Sequence, residues 1–183
     1  LVLTRDGVLV ARHGNELSDS TDVADHPDFA ARRGRREVDG EILEGWFTED
    51  FTLDELRRLR AREPLPGLRG RAHDGLHAVA TVDDIRALLA KEVDARGRAI
   101  GLVPELKHPS HFAARGLDLE AALVRALAAH DIARRVPLWL QCFEPGTLRR
   151  LRAVFPRGGN VRLLQLVGHP LARPADVVRA GGD

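Results

Sequence analysis

Polar side chains that could take part in chemistry follow several short apolar runs of the chain. His13 follows "VLVA", Glu105 and Lys107 follow "IGLVP", Gln141 lies near the end of "VPLWLQCF" and Gln165 near the end of "VRLLQLV". The Glu105 carboxylate suits a hard divalent cation such as Mg²⁺ or Ca²⁺, because these ions prefer oxygen ligands. Lys107 lies two residues further on and points to the same side of an extended backbone. This spacing would place its ammonium group beside a metal-bound phosphate.

Each of these residues also has a structural interpretation, and the sequence leaves both open. Glu105 and Lys107 could form a solvated ion pair at a strand end, which contributes little to stability. His13, taken alone, is typical of a structural histidine. His108 and His111 lie in a proline-containing loop with no third ligand nearby in the sequence, so we interpret them as surface histidines.

Composition limits the classes of protein to consider. The chain has 183 residues, enough for one domain with a sizeable core. It carries 28 Lys and Arg residues against 27 Asp and Glu residues, a net charge of +1, which argues against a dedicated nucleic-acid or anionic-membrane binder. No stretch approaches the roughly 20 apolar residues of a membrane helix, so we expect no stable membrane insertion. The oligomeric state stays open.

Sulfur and aromatic side chains are few, and we interpret them as structural. The single cysteine, Cys142, excludes an internal disulfide and a cysteine-rich metal site. No adjacent base would activate its thiolate, so we interpret it as a small buried residue. Trp46 and Phe47 could line a substrate cleft or anchor the surrounding segment, and we favour the anchoring role.

The first part of the chain combines a tight turn with a long polar excursion. Asp6-Gly7, between "LVLT" and "VLVAR", predicts a hairpin or tight turn, since glycine tolerates positive φ. Residues 14–43 are polar without sustained periodicity, which predicts a long excursion that is functional or mobile. Thr52 begins a helix through a capping box in "TLDEL", and Thr81 caps the next helix, "TVDDIRALLAKEV".

From Thr81 onward the chain alternates between helices and strands. "AIGLVPEL", "VPLWLQCF" and "VRLLQLV" read as buried strands, whereas "DLEAALVRALAAHD" and "PGTLRRLRAV" have helical periodicity. Leu119, Leu123 and Leu127 form the apolar side of the first of these helices. The alternation predicts an α/β fold, in which a parallel sheet covered by helices carries its active site at the C-terminal strand ends. This alternation is compatible with both an open doubly wound sheet and a (β/α)8 barrel. No G-x-G-x-x-G or Walker pattern follows a strand, which argues against a nucleotide-binding sheet.

Several segments together resemble the glycerophosphodiester phosphodiesterase family, in particular its larger glycerophosphoryl diester branch. They occur in the family's order and cover most of the chain. They read "LVLTRDGVLVARHGNELSDSTDVADHPDFAARR", "GWFTEDFTLDELRRLRA", "PELKHPSHFAARGLDLEAALVRAL", "WLQCFEPGTLRRLRA" and "LLQLV". The first and third of these segments are the specific ones.

The resemblance implies an incomplete (β/α)8 TIM barrel of the phospholipase-C-like phosphodiesterase type, with a long insertion after an early strand. Residues 1–183 would form a single partial barrel domain. Residues 14–79 would be the insertion over the barrel mouth, where it would hold the glycerol end of the substrate. The implied reaction is hydrolysis of glycerophosphodiesters to sn-glycerol 3-phosphate and an alcohol, so the implied partner is a small molecule and not a nucleic acid.

The resemblance also assigns roles to individual residues. It places His13 at the second of the family's two acid/base histidines and Glu105 at the third metal-ligand carboxylate. Lys107 falls on the basic residue near the phosphate, and Gln141 and Phe143 match a strand-end stretch that borders the substrate pocket. The implied cofactor is a divalent cation, Ca²⁺ or Mg²⁺, which together with Lys107 would neutralise the diester charge while two histidines move protons.

The chain also departs from the family pattern. The family begins with a strand carrying a His-Arg motif and a strand ending in Glu-x-Asp, and both would lie upstream of Leu1. A barrel typically needs about 250 residues, so we expect these 183 residues to be a fragment truncated at both ends and inactive alone. Gly14 stands where an acidic residue is usual. Cys142 stands where serine is common, a change that we expect to be tolerated.

Two alternatives to this enzyme remain open. A catalytically silent α/β binding module would keep the fold without the chemistry, as the absent ligands and Gly14 would allow. A phospholipase-like phosphodiesterase acting on lipid head groups would present an exposed apolar rim, and the sequence shows no obvious one. The resemblance favours a periplasmic or secreted location, with a cytoplasmic location also open.

Overall fold

A tight antiparallel ribbon opens the chain. Strands β1 (Val2–Leu3) and β2 (Leu9–Val10) pair with each other. Gly7 in the connecting turn has a φ of 75°, which glycine adopts without steric strain, so the tight turn predicted at this position is present. These features belong to a computed structural model that describes residues 1–98, 100–129, 136–168 and 173–181.

Residues 14–79 contain short elements of regular structure, including a hairpin that the sequence analysis does not predict. β3 (Gly34–Val38) and β4 (Glu41–Gly45) pair antiparallel and turn at Asp39 and Gly40, with φ angles of 50° and 87°. Both strands expose most of their residues, so they show none of the apolar alternation by which a strand is recognised. The Asp-Gly pair was the available signal for this hairpin.

Capping boxes begin two of the helices, as predicted. The Thr52 and Thr81 side chains each accept a hydrogen bond from the backbone N–H three residues further on, and the acidic side chain there bonds back to the threonine N–H. Thr52 begins α1 (Leu53–Leu56), which lasts one turn only, and Thr81 begins α3 (Val82–Arg96). The short helix α2 (Pro66–Arg69) lies between them.

The predicted alternation of helices and strands is confirmed in the second half of the chain. Its elements are β5 (Glu105–Leu106), α4 (Pro109–Ala113), α5 (Leu119–Ala129), β6 (Leu138–Cys142), α6 (Pro145–Val154), β7 (Val161–Gln165) and α7 (Ala175–Arg179). The three strands form a parallel sheet in the order β5, β6, β7. The Lys107 N–H donates to the Leu1 carbonyl at 3.0 Å, which aligns the start of the chain beside β5.

The predicted strand "AIGLVPEL" is wrong over most of its length. Its first residue, position 99, lies outside the described residues. Of residues 100–106, the final two belong to a strand, β5, and Leu102 makes an isolated parallel bridge to Leu138. Pro104 has no N–H to donate to a ladder. Val103 is exposed, so this run is not a continuous buried strand.

One apolar core cluster joins the first ribbon, the inserted segment, α5 and the parallel sheet. Leu119, Leu123 and Leu127 are buried, as predicted, and share an apolar cluster with Leu138 and Leu140 of β6. The last two residues of the predicted helix, positions 130 and 131, lie outside the described residues. No helix in the described part of the chain is long and apolar enough to cross a membrane. The architecture is mixed α/β with a parallel sheet, which is the predicted class.

We expect Leu123→Ala to lower the free energy of unfolding by about 3 kcal/mol, because the substitution leaves a cavity in this core. Leu88→Ala is the matched control: Leu88 lies on α3 and is 59% exposed, so its truncation should cost less than about 0.5 kcal/mol. Urea unfolding followed by circular dichroism measures both values. Equal losses in the two variants would contradict the packing of α5 against the sheet.

Candidate active site

The register of the parallel sheet brings four of the predicted site residues together. Glu105 pairs with Gln141 across the β5–β6 ladder. Because side chains alternate along a strand, Lys107 and Phe143, two residues further on, project to the same face as this pair. The Lys107 ammonium lies 3.0 Å from Glu105 Oε1 and 5.4 Å from the centre of the Phe143 ring. The strand ends therefore carry a carboxylate, an amide, an ammonium group and an aromatic ring side by side.

His13 opens to the same cavity as two of these residues. A cavity of ≈ 400 Å³ is lined by His13, Glu105 and Gln141, with a largely apolar wall. A second cavity, of ≈ 500 Å³, is lined by Lys107 and Phe143 among others. The ion pair between Glu105 and Lys107 therefore joins the two cavities. The five predicted site residues therefore line two cavities, three of them in one and two in the other, and their catalytic roles stay predictions.

The Glu105 carboxylate is partly buried and forms an ion pair with Lys107. Its Oε1 atom is buried and accepts no hydrogen bond from the described residues, since the ammonium of Lys107 is close but not aligned for one. Buried polar atoms are normally satisfied, and a free carboxylate oxygen suits a hard divalent ion. The described residues contain no group of three His, Cys, Asp or Glu side chains that could hold a metal ion. Glu105 therefore fits as one ligand of a set.

The prediction of surface histidines is wrong for His111, whereas His108 is half-buried. His111 is fully buried, with Nε2 2.7 Å from Glu49 Oε1 and Nδ1 3.2 Å from an Arg115 guanidinium nitrogen. Because arginine only donates, Nδ1 accepts and the ring proton sits on Nε2, which donates to Glu49. His108 Nδ1 lies 2.6 Å from Asp39 Oδ2 at the tip of the β3–β4 hairpin. Residues distant in sequence cover both rings, and the local sequence does not show this.

Glu49 is an ionised carboxylate held inside the protein. Asn15 Nδ2 donates to its two oxygens at 3.1 and 3.2 Å, and Arg36 donates at 2.8 Å. Burial raises the pKa of Glu49, but the hydrogen bonds from His111, the backbone and Arg36 outweigh this effect and lower it to about 2. These contacts join residues 15–49 to α4. Sequence analysis missed Asn15 and Glu49, which carry no motif.

Cys142 is a buried structural residue, as predicted. Its side chain is fully buried, and burial raises the pKa of its thiol to about 12. The thiol donates to the Leu106 carbonyl at 3.3 Å and accepts from the Glu144 N–H at 3.3 Å. These bonds link β5 to the end of β6.

Glu144 is a second buried acid that sequence analysis missed. It follows β6 directly, and its carboxylate accepts hydrogen bonds from the N–H and the hydroxyl of Ser110. Burial raises the pKa of Glu144 above its usual value, against the lowering effect of Ser110. Gln165 is structural: its amide donates to the carbonyls of Phe143 and Leu166 at 2.8 and 2.9 Å.

The aromatic pair in the inserted segment has the predicted anchoring role. Trp46 and Phe47 are buried, and the Trp46 indole N–H donates to the Phe29 carbonyl at 2.6 Å. At Gly14 a side chain would meet no atom within 4 Å, so the acidic residue that is usual there has room.

Three leucines near the site are exposed, which the sequence analysis does not predict. Leu65, Leu68 and Leu76 are 52%, 79% and 65% exposed. They lie in the segment that starts at Ala61 and Arg62, which share a cavity of ≈ 320 Å³ with His13. All three leucines lie in the inserted segment, residues 14–79.

Glu49→Gln should be destabilising at neutral pH, and the difference from wild type should shrink in acid. A carboxylate whose pKa falls from 4.5 to about 2 on folding adds stability above pH 4.5, and this stability is lost as the pH falls towards 2. The expected loss at pH 7 is on the order of 3 kcal/mol. Glu41→Gln, in exposed β4, is the control. Urea unfolding from pH 7 to 3 measures the effect, and a pH-independent difference would contradict the ionised state of Glu49.

Cys142→Ser should be tolerated better than Cys142→Ala, because a hydroxyl can donate to the Leu106 carbonyl and accept from the Glu144 N–H as the thiol does. We expect Cys142→Ala to lower the free energy of unfolding by about 1–3 kcal/mol, because the Leu106 carbonyl and the Glu144 N–H each lose a hydrogen-bond partner. The wild-type thiol should react with a disulfide reagent only after unfolding, since the thiolate is scarce. Rapid reaction in the native state would contradict its burial.

Two curated relatives match the chain in sequence. Glycerophosphodiester phosphodiesterase GDPD6 of Arabidopsis thaliana is 39% identical over 109 residues, which cover 60% of this chain and 28% of the relative. Glycerophosphodiester phosphodiesterase of Haemophilus influenzae is 25% identical over 185 residues, which cover 92% of this chain and 48% of the relative. The chain thus spans less than half the length of either protein.

Solved structures identify the fold. A protein of Silicibacter pomeroyi assigned as a glycerophosphoryl diester phosphodiesterase superposes with a TM-score of 0.63 at 22% identity, covering 99% of this chain and 60% of that one. A phosphodiesterase of Oleispira antarctica in complex with the product sn-glycerol-3-phosphate superposes with a TM-score of 0.59 at 19% identity. The match covers 98% of this chain and 57% of that one. This likeness shows the fold, an incomplete (β/α)8 barrel.

The sequence profile of the glycerophosphoryl diester phosphodiesterase family matches residues 1–181. Nearly the whole chain therefore follows the family pattern, including the segments that carry His13, Glu105 and Lys107. The chain belongs to the glycerophosphoryl diester phosphodiesterase family.

Proposed function

We propose that the protein carrying this chain hydrolyses glycerophosphodiesters to sn-glycerol 3-phosphate and an alcohol, with the help of a divalent cation. Family membership and the names of the curated relatives support this reaction. The related Oleispira antarctica enzyme holds sn-glycerol-3-phosphate as its product. The observation that carries the proposal is the cluster of Glu105, Lys107 and Gln141 at the strand ends, beside the cavity that His13 also lines.

Glu105 would be one ligand of the cation. The family is typically dependent on divalent cations, and the unsatisfied Oε1 of Glu105 fits such an ion. Oxygen coordination favours Ca²⁺ or Mg²⁺ over softer metals. When bound, the cation would neutralise phosphate charge and polarise the phosphorus–oxygen bonds.

The other strand-end side chains would bind and orient the phosphodiester. The Lys107 ammonium, held between Glu105 and the Phe143 ring, would pair with a phosphate oxygen. The Gln141 amide can donate to a phosphate oxygen and accept from a substrate hydroxyl. The exposed His13 imidazole would move a proton on the attacking or the leaving oxygen.

The inserted segment, residues 14–79, would hold the glycerol end of the substrate. It leaves and re-enters the barrel at one place, because the Ala11 N–H donates to the Ala80 carbonyl at 2.8 Å and Val10 bridges to Thr81. An insertion with adjacent ends can cover the strand ends without disturbing the sheet. This geometry supports its assignment as an insertion over the barrel mouth.

The exposed leucines favour a second candidate, a phosphodiesterase that acts on lipid substrates at a surface. Leu65, Leu68 and Leu76 would then contact the acyl chains. Lysophosphatidylcholine and glycerophosphocholine share a head group but differ in their acyl chain. Comparing the two substrates therefore separates this candidate from the first.

The test is the activity of the protein translated from the complete coding sequence that contains this chain. We expect release of sn-glycerol 3-phosphate from glycerophosphocholine, lost with a chelator and restored by Ca²⁺ or Mg²⁺. Glu105→Gln should raise the cation concentration needed for half-maximal rate, and His13→Ala should lower kcat by roughly 10²–10⁴-fold. An enzymatic assay of glycerol 3-phosphate gives all of these values.

Two controls accompany these variants. Glu41→Gln and His73→Ala remove the same chemical groups at exposed positions that do not line these two cavities, and both should keep wild-type rates. Binding of glycerophosphocholine without turnover would favour a catalytically silent binding module. Turnover that needs no divalent cation would contradict the role of Glu105 as a cation ligand.

A further inference from the structure

Three buried polar side chains from separate parts of the chain meet at one point. Asn15 and His111 are fully buried, and Glu49 is nearly so. Asn15 donates to both Glu49 oxygens, and His111 donates to one of them at 2.7 Å. We call Asn15, Glu49 and His111 the clamp.

One end of the clamp fixes the segment that carries His13. Asn15 lies two residues after His13, and both its side chain and its carbonyl are bound: the carbonyl accepts from the Thr48 N–H at 2.8 Å. The Gly14 carbonyl, between the two, accepts a hydrogen bond from the Arg12 guanidinium at 3.3 Å. Asn15 is the nearest fully buried side chain that fixes the backbone on the C-terminal side of His13.

The other end fixes the segment that follows Lys107. His111 lies in α4, which begins two residues after Lys107. The intervening His108 has a φ of 56° and is tied through Nδ1 to Asp39 of the hairpin tip, at 2.6 Å. The inserted segment thus holds both flanks of the candidate site through hydrogen bonds.

The chemistry of the clamp favours a positioning role over simple packing. Burying an amide, a carboxylate and an imidazole is costly unless each is satisfied. Both oxygens of Glu49 and both ring nitrogens of His111 have partners, whereas Asn15 uses only Nδ2, because its Oδ1 accepts no hydrogen bond from the described residues. An apolar contact would hold the same segments together but would not fix their direction, whereas hydrogen bonds depend steeply on distance and angle. Arg36 and Arg115 supply the positive charge that offsets Glu49.

We propose that the clamp is a positioning unit, which sets the place of His13 relative to Lys107 and Glu105 during hydrolysis. This inference rests on the proposed function. No clamp residue lines either of the two cavities of the candidate site, so loss of the clamp should reduce the rate of the chemical step more than substrate binding. A displacement of about 1 Å in a catalytic group is enough to lower the rate by roughly a hundredfold.

The test compares two substitutions of one clamp residue. His111→Leu removes the donor to Glu49, whereas His111→Gln keeps a donor for Glu49 and an acceptor for Arg115. We expect His111→Leu to lower kcat roughly ten- to a hundredfold with KM little changed, and His111→Gln to restore most of the rate. The control is Thr147→Val: Thr147 is fully buried on α6 and donates to Glu120 at 2.7 Å, so this variant loses a comparable bond away from the site.

Hydrogen–deuterium exchange gives a readout that needs no turnover. The amides of residues 12–16 should exchange faster in His111→Leu than in wild type, and Thr147→Val should leave them unchanged. If the wild-type protein shows no hydrolysis, the proposed function fails. The exchange rates of residues 12–16 then test by themselves whether the clamp holds the segment that carries His13. The proposal is overturned by unchanged exchange in residues 12–16, or by a kcat loss in His111→Leu no larger than in Thr147→Val.

Discussion

The hydrogen bonds that satisfy the buried Glu49 carboxylate hold the inserted segment against α4. An ionised carboxylate inside a protein is stable only when donors replace the water it has lost. Here the donors come from Asn15, Arg36 and His111, which lie on three separate segments. Any movement of the inserted segment away from α4 would leave this charge unpaired. The position of everything attached to residues 15–49 therefore follows from this one group.

The parallel sheet supplies the second half of the site. The ladder between β5 and β6 sets Glu105 beside Gln141, and strand alternation then puts Lys107 and Phe143 on the same face. Gln141 lies in β6, a strand of five residues, whereas Lys107 and His13 both follow strands of two residues, β5 and β2. The site therefore combines groups on the parallel sheet with His13, which follows the separate ribbon at the start of the chain.

The sequence predicts those parts of the fold that depend on local pattern. The helix–strand alternation after Thr81 and the bounds of α6 follow from apolar periodicity and caps, which act over a few residues. The convergence of Glu105, Lys107 and Gln141 follows from the general rule that parallel strand ends meet at one edge. The roles of His13 and Phe143 came only from the resemblance, because a single histidine or phenylalanine carries no pattern of its own.

Features that depend on distant contacts were missed. His111 is buried by Glu49, 62 residues away in sequence, and no local signal marks either partner. The β3–β4 hairpin has charged residues on both faces, so its strands resemble a polar loop. β5 is shorter than its apolar run, in which Pro104 accepts a hydrogen bond from the Gln141 N–H but has no N–H of its own to donate.

The central claim is that the Glu105 carboxylate holds the cation on which phosphodiester chemistry depends. Calorimetric titration of Ca²⁺ and of Mg²⁺ tests it most directly, with wild type and Glu105→Gln compared in the presence of sn-glycerol 3-phosphate. The account predicts that wild type binds a cation more tightly when the phosphate is present, and that Glu105→Gln loses this binding. Equal cation affinity in the two proteins would contradict it.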